Sequence, residues 1–152
     1  MSPARGDDQP DVVLEIPARA EYLELVRSVV AAAAYTDPGF GDDRINDLRI
    51  AVSEATTNAI RAHATLGTDH RIEVRCQVGD EKIEVEVCDR GPGFDPDSIP
   101  ALPDPEDPSR LFWESGLGIP LMQQLTDETE WESDDDGTVV RLVVYTAAYL
   151  NR

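Results

Sequence analysis

Arg71-Ile-Glu-Val-Arg-Cys-Gln-Val-Gly-Asp-Glu-Lys-Ile-Glu-Val-Glu-Val-Cys-Asp89 is the stretch on which the fold turns. Each half alternates apolar and polar residues, and Gly79-Asp80 between them supplies a tight turn. The pattern predicts an antiparallel hairpin with one dry face and one wet face. Ile72, Val74 and Cys76 share the dry side of the first strand, and Ile83, Val85 and Val87 that of the second. Cys88 falls on the opposite face from Cys76, so the two thiols point to different sides of the sheet and cannot bond. Both are expected to be reduced, and their spacing matches no metal motif.

Upstream, Val12–Ile16 reads as a short strand ended by Pro17. Arg19–Tyr35 has Leu23, Val26, Val30 and an alanine run without internal Gly or Pro, the pattern of a helix. Asp37-Pro38-Gly39-Phe40-Gly41 breaks it. Asp42 or Asp43 then caps a second helix running to about His63, with Ile45, Leu48, Val52, Ala55 and Ala59 as its buried stripe. Downstream, residues 95 to about 115 lose periodicity and hold prolines at 96, 100, 103, 105 and 108. A long loop of this kind inside a compact domain is more often a lid than filler. Gly118–Leu125 is a short helix, Glu128–Glu132 a strand, Asp134–Gly137 a turn and Thr138–Tyr145 a final strand. The expected architecture is an α+β two-layer sandwich, an antiparallel or mixed sheet with its helices on one face. Residues 1–11 and 147–152 are expected to be tails around a single domain at 12–146.

The 152 residues, 41% hydrophobic and 29% charged, suit one soluble domain. No apolar run approaches membrane-spanning length, and Met1–Pro10 lacks the apolar segment of a secretory signal, so a cytoplasmic setting is expected. The formal charge of −18 argues strongly against nucleic acid as a partner; it suits a basic protein partner, or equally a surface whose acidity simply keeps the protein soluble. Lys82 is the only lysine and no Gly-x-x-x-x-Gly-Lys precedes it, which excludes a P-loop. His63 and His70 accompany no Ser or Cys motif of a hydrolytic triad, and each is expected at the surface or at a helix end.

Three segments carry chemistry. Glu54 and Asn58, four residues apart on the second helix, share a face. An Asn oxygen is a hard ligand suited to Mg²⁺, and a carboxylate one turn earlier is placed to orient or deprotonate a hydroxyl. Asp89-Arg90-Gly91-Pro92-Gly93-Phe94 follows directly on a strand. Gly91 and Gly93 permit close backbone approach to a flat ligand or a phosphate, and Asp89 is placed to accept a hydrogen bond from an amine such as that of adenine. Ser115-Gly116-Leu117-Gly118 opens a helix whose free N–H groups suit a phosphate. Taken singly, each segment is equally a turn or a solvated helix face.

In this order the three segments resemble the N, G1 and G2 boxes of the GHKL (histidine-kinase-like, Bergerat-fold) ATPases. Within that superfamily the chain resembles the RsbW/SpoIIAB-type anti-sigma-factor serine/threonine kinases. Ser115-Gly-Leu-Gly-Ile-Pro-Leu-Met122, Thr126-Asp-Glu-Thr129 and Asp136-Gly-Thr-Val-Val140 support this, and the likeness runs from about Val12 to Tyr145. The resemblance implies ATP and Mg²⁺ as cofactors and transfer of phosphate to a protein Ser or Thr. It makes Glu54 the general base, Asn58 the Mg²⁺ ligand and Asp89 the reader of the adenine amine. Gly91 and Gly93 would shape the pocket, Thr138 would lie beneath the base, and Gly116, Leu117 and Gly118 would serve lid closure. It further implies a sigma factor and a STAS-type antagonist as partners competing for one surface, and a possible homodimer. Arg27 occupies a position where relatives place a contact arginine, although a solvated Arg fits its spacing as well. Two departures stand out. Ala62 replaces a histidine common four residues after the Asn, and Arg110 is the only cation of an otherwise acidic lid. The acidic lid keeps open an alternative, an ATP-binding module that sequesters a partner with little or no kinase activity. A detached histidine-kinase ATPase domain fits less well, because only residues 1–41 precede the Glu54 helix.

Overall fold

The computed structural model describes residues 9–64, 71–90, 118–134 and 137–151. Strands β1 (Val12–Ile16), β2 (Ile72–Val78), β3 (Lys82–Asp89), β4 (Glu128–Asp134) and β5 (Gly137–Tyr145) form one sheet. Its order is β1-β2-β3-β5-β4, with every neighbouring pair antiparallel. The helices are α1 (Leu23–Tyr35), α2 (Asp42–Ala64), α3 (Gly118–Leu125) and the single turn α4 (Ala147–Leu150).

The β2–β3 hairpin has the expected faces: Val74 pairs with Val87 and Cys76 with Val85 on the buried side, while Arg75 pairs with Glu86 on the other. Cys76 is buried and Cys88 half-buried on the opposite face, and both thiols are free. Burial pushes each thiol up to about 11, so both stay protonated and weakly nucleophilic at neutral pH. The core lies between the sheet and α1, α2 and α3. It joins Val26 and Val30 of α1, Ile45, Leu48 and Val52 of α2 and Met122 of α3 to Ile72, Val74, Ile83, Val85 and Leu142. The far face of the sheet is open, with Val13 and Glu15 exposed and Arg141 bridging Glu84 and Glu130.

Local chemistry explains the boundaries. The Asp37 side chain accepts from the Gly39 N–H at 2.7 Å, an Asx turn that separates α1 from α2. Asp42 and Asp43 then sit in the first turn of α2, where negative charge is favoured. Pro120 falls in the first turn of α3, where its missing N–H costs nothing. Arg19 is extended, so a 3₁₀ turn at Ala20–Tyr22 precedes α1, which begins at Leu23 and not at Arg19.

Both ends of the described chain are bonded to the rest of the fold. The Asp11 N–H donates to the Cys76 carbonyl at 2.8 Å, and the Asp11 carboxylate accepts from Val78 N–H at 2.8 Å. At the other end, Ala147–Leu150 forms the helical turn α4. Thr146 caps α4 by accepting from Tyr149 N–H, and the Tyr149 ring stacks on Tyr145 with centroids 4.3 Å apart. A β-strand ending in Tyr and followed by Thr provides both the ring platform and the cap.

Asp127 ties the start of α2 to the sheet. Its carboxylate accepts from Arg44 at 2.7 Å and from the Tyr145 N–H at 2.7 Å. The Asp127→Ala variant should lose about 1 kcal/mol, most of it from the charge-assisted bond to the Tyr145 N–H, because a solvent-accessible ion pair contributes little. Thermal unfolding should show a Tm lower by a few degrees, and an unchanged Tm would remove this tie from the account.

Candidate functional site

Glu54 and Asn58 lie one turn apart on α2 and are both half-buried. Neither side chain forms a hydrogen bond or ion pair with another described residue, which leaves their oxygens available. Ala55 and Ala59 are buried as expected, and with buried Ala51 they bring α2 close to the sheet. The hydroxyl of buried Thr56 donates to the Val52 carbonyl at 2.7 Å and is satisfied within the helix.

Asp89 is the last residue of β3 and pairs with Thr138 near the start of β5. Thr138 is buried, and its hydroxyl lies 3.0 Å from that of Ser133. Gly137 has φ +150, and a Cβ there would come within 1.9 Å of the Asp89 carbonyl oxygen. The start of β5 therefore packs directly on the Asp89 backbone. The sequence shows Gly137 only as a turn residue; its position immediately before Thr138 was the available signal.

His63 joins the two halves of the site. It is buried, and its Nε2 accepts from the Arg90 N–H at 2.9 Å. This holds the last turn of α2 to the end of β3, beside Asp89. The bond requires an unprotonated Nε2. His63 is thus at a helix end as expected, but not at the surface, and its role is positional. At 1.5 Å per residue, Asn58 lies about 7.5 Å and Glu54 about 13.5 Å before His63 along the helix axis. The tether at His63 therefore fixes the axial level of α2 relative to the end of β3, with Asn58 about one and a half turns and Glu54 about two and a half turns before it. An Asn amide oxygen and two carboxylates form a donor set that fits a magnesium nucleotide and a hydroxyl substrate.

Gly118 is the first residue of α3, which packs against α2. Gly91, Gly93, Gly116, Leu117 and the loop at 95–115 lie outside the described residues. Arg27 is tied into the helix pair: its Nε donates to Ser53 Oγ at 3.1 Å and its Nη1 pairs with Glu24 at 3.1 Å. Its side chain still keeps 36% exposure. Among the described residues, no group of three or more His, Cys, Asp or Glu is placed to hold a metal, and no helix is long and apolar enough to cross a membrane.

The family described as Histidine kinase-like ATPase domain matches residues 16–144. The chain is 37% identical to the serine-protein kinase RsbW of Bacillus velezensis over 131 residues, covering 84% of the chain and 81% of the relative. It is 34% identical to the serine-protein kinase RsbW of Bacillus subtilis, with the same coverage. Among solved structures, the RsbU and RsbW domains of a Mycobacterium tuberculosis protein superpose with a TM-score of 0.63 at 20% identity, over 90% of this chain and 33% of that one. The histidine kinase domain of the Erythrobacter litoralis blue-light-activated histidine kinase gives 0.53 at 20% identity, over 90% of this chain and 64% of that one, and shares the fold. With the family match over residues 16–144 and relatives at 34–37% identity over most of both chains, the chain belongs to the histidine kinase-like ATPase family, and within it to the RsbW serine-protein kinases.

Proposed function

We propose that the chain is an anti-sigma factor that binds Mg-ATP and phosphorylates a serine or threonine of a STAS-type antagonist, in the cytoplasm. The observation that carries this is the half-buried, unpartnered Glu54 carboxylate, one turn from Asn58 on a helix whose end is bonded beside Asp89.

In this proposal Asp89 accepts a hydrogen bond from the adenine amine, with Thr138 beneath the base and Gly91 and Gly93 shaping the pocket wall. Asn58 supplies an oxygen to Mg²⁺, and Gly116, Leu117 and Gly118 flank the phosphates at the start of α3. Bound magnesium would neutralise phosphate charge. Glu54 takes the proton of the acceptor hydroxyl as that oxygen bonds to the γ-phosphorus and ADP leaves. Positioning and charge neutralisation account for most catalysis of this type, which suits a site with so few reactive groups. The sigma factor and the antagonist would compete for the surface that includes Arg27, on a protein that assembles as a homodimer.

Two measurements test the proposal together. Mg-ATP should raise Tm, because a ligand at a hundred times its Kd stabilises the folded state by about 2.7 kcal/mol. Incubation with Mg-ATP and an antagonist recovered by pull-down from the native cell should yield phosphoserine or phosphothreonine on the antagonist. Absence of a thermal shift at millimolar nucleotide would overturn nucleotide binding; a shift without transfer would leave a nucleotide-gated binding module.

A further inference from the structure

A surface cleft of about 350 Å³ opens beside Glu54, lined by Arg27, Asn46, Arg49, Ile50, Ser53 and Glu54. Five of these residues belong to α2, and Asn46, Ile50 and Glu54 recur every four positions, so the cleft follows one stripe of the helix. Asn58 is the next residue of that stripe. The cleft therefore runs along α2 from Asn46 to Glu54 and stops one turn short of Asn58.

Its charge is unusual for this chain. A protein of net charge −18 places two guanidinium groups around one cleft. Arg49 forms no hydrogen bond or ion pair with another described residue; its Nε is buried, which leaves the Nη groups as the donors open to an arriving carboxylate and a charge-assisted bond. Arg27 spends two donors on Ser53 and Glu24, out of the five that a guanidinium carries. Ile50, 38% exposed, adds an apolar wall. This set suits a peptide segment with an acidic side chain better than it suits a free hydroxyl or an apolar side chain.

We propose that Arg49, together with Arg27, receives a carboxylate of the protein substrate close to the hydroxyl delivered to Glu54, making Arg49 a specificity-determining residue for acidic acceptor segments. The proposal rests on the assignment of Glu54 as the base for its biological meaning, but its test is a binding measurement that does not. Phosphate of the nucleotide is the other anion within reach of a guanidinium, and it is placed on the Asn58 side.

Fluorescein-labelled twelve-residue peptides with one central serine, flanked either by two aspartates or by two asparagines, are titrated with the full chain by anisotropy. A non-hydrolysable ATP analogue and Mg²⁺ are present throughout. The aspartate peptide should bind at least about tenfold more tightly, and the difference should shrink as salt rises. Arg49→Gln and Arg49→Glu should abolish the preference, while Arg49→Lys keeps part of it, since an ammonium offers charge without the planar fork. The Tm and the Mg-ATP affinity of these variants should match those of the parent chain. Equal binding of the two peptides, binding of neither, or a preference that survives Arg49→Glu would overturn the proposal. So would an equal loss of Mg-ATP affinity in Arg49→Gln, which would identify the anion as nucleotide phosphate. A preserved preference in a chain that transfers no phosphate would instead sink the base assignment and leave the docking role intact.

Discussion

Glu54→Ala should lower phosphate transfer to the antagonist by about 10²–10⁴, the range contributed by a positioned general base. Mg-ATP affinity should stay within about twofold. The separation follows from where Glu54 sits. It is one turn away from Asn58, the proposed metal ligand, and farther still from the β3 end that carries Asp89, so nucleotide contacts survive its removal. Its carboxylate forms no hydrogen bond or ion pair with another described residue, so the alanine variant orphans no buried partner and should melt close to the parent. Glu54→Gln preserves shape and removes basicity; it should be as impaired as the alanine variant. Quantifying labelled phosphate on the antagonist under single-turnover conditions, alongside a nucleotide titration, separates the two effects. Full transfer by either variant would rule out Glu54 as the base. A parallel loss of nucleotide affinity would instead make it part of the ATP site.

The sheet and the first two helices were legible because their signals are periodic. The alternation in Arg71–Cys88 specified which residues face the core, down to the placement of the two cysteines on opposite faces. The α2 stripe at Ile45, Leu48, Val52, Ala55 and Ala59 was readable for the same reason. The parts that escaped depend on neighbours distant in sequence. His63 looked like an ordinary helix-end residue because its partner is a backbone N–H beyond the next two strands. The last turn of helix after β5 depends on one hydroxyl cap and one ring stack, too few residues for any periodic signal. Arg49 was invisible as a candidate, since nothing in Leu48-Arg49-Ile50 distinguishes a cleft-lining Arg from a solvated one.

Gly137→Ala should destabilise the fold by about 2–3 kcal/mol, from an unfavourable φ together with forced overpacking. For a chain of this size that corresponds to a Tm lower by about 5–12 °C. The collision is with backbone, not with the flexible end of a side chain: the new methyl would lie 1.9 Å from the Asp89 carbonyl oxygen and 2.9 Å from Arg90 Cα. Neither strand can yield without disturbing the Asp89–Thr138 pair, and Arg90 N–H is also the donor to His63. One methyl group thus presses on the point where β3, β5 and the end of α2 are joined. If Asp89 reads the nucleobase, ATP affinity should fall at temperatures where the variant is still fully folded, by more than a general loss of stability explains. Gly41→Ala is the matched control, because its Cβ meets nothing within 4 Å and should change Tm little. Thermal melts of both variants, followed by ATP titration well below the Gly137→Ala midpoint, give the two numbers required. An unaltered Tm in Gly137→Ala would refute the close packing of β5 on Asp89. A lowered Tm with intact ATP affinity would leave that packing in place and move nucleobase recognition away from the β3 end.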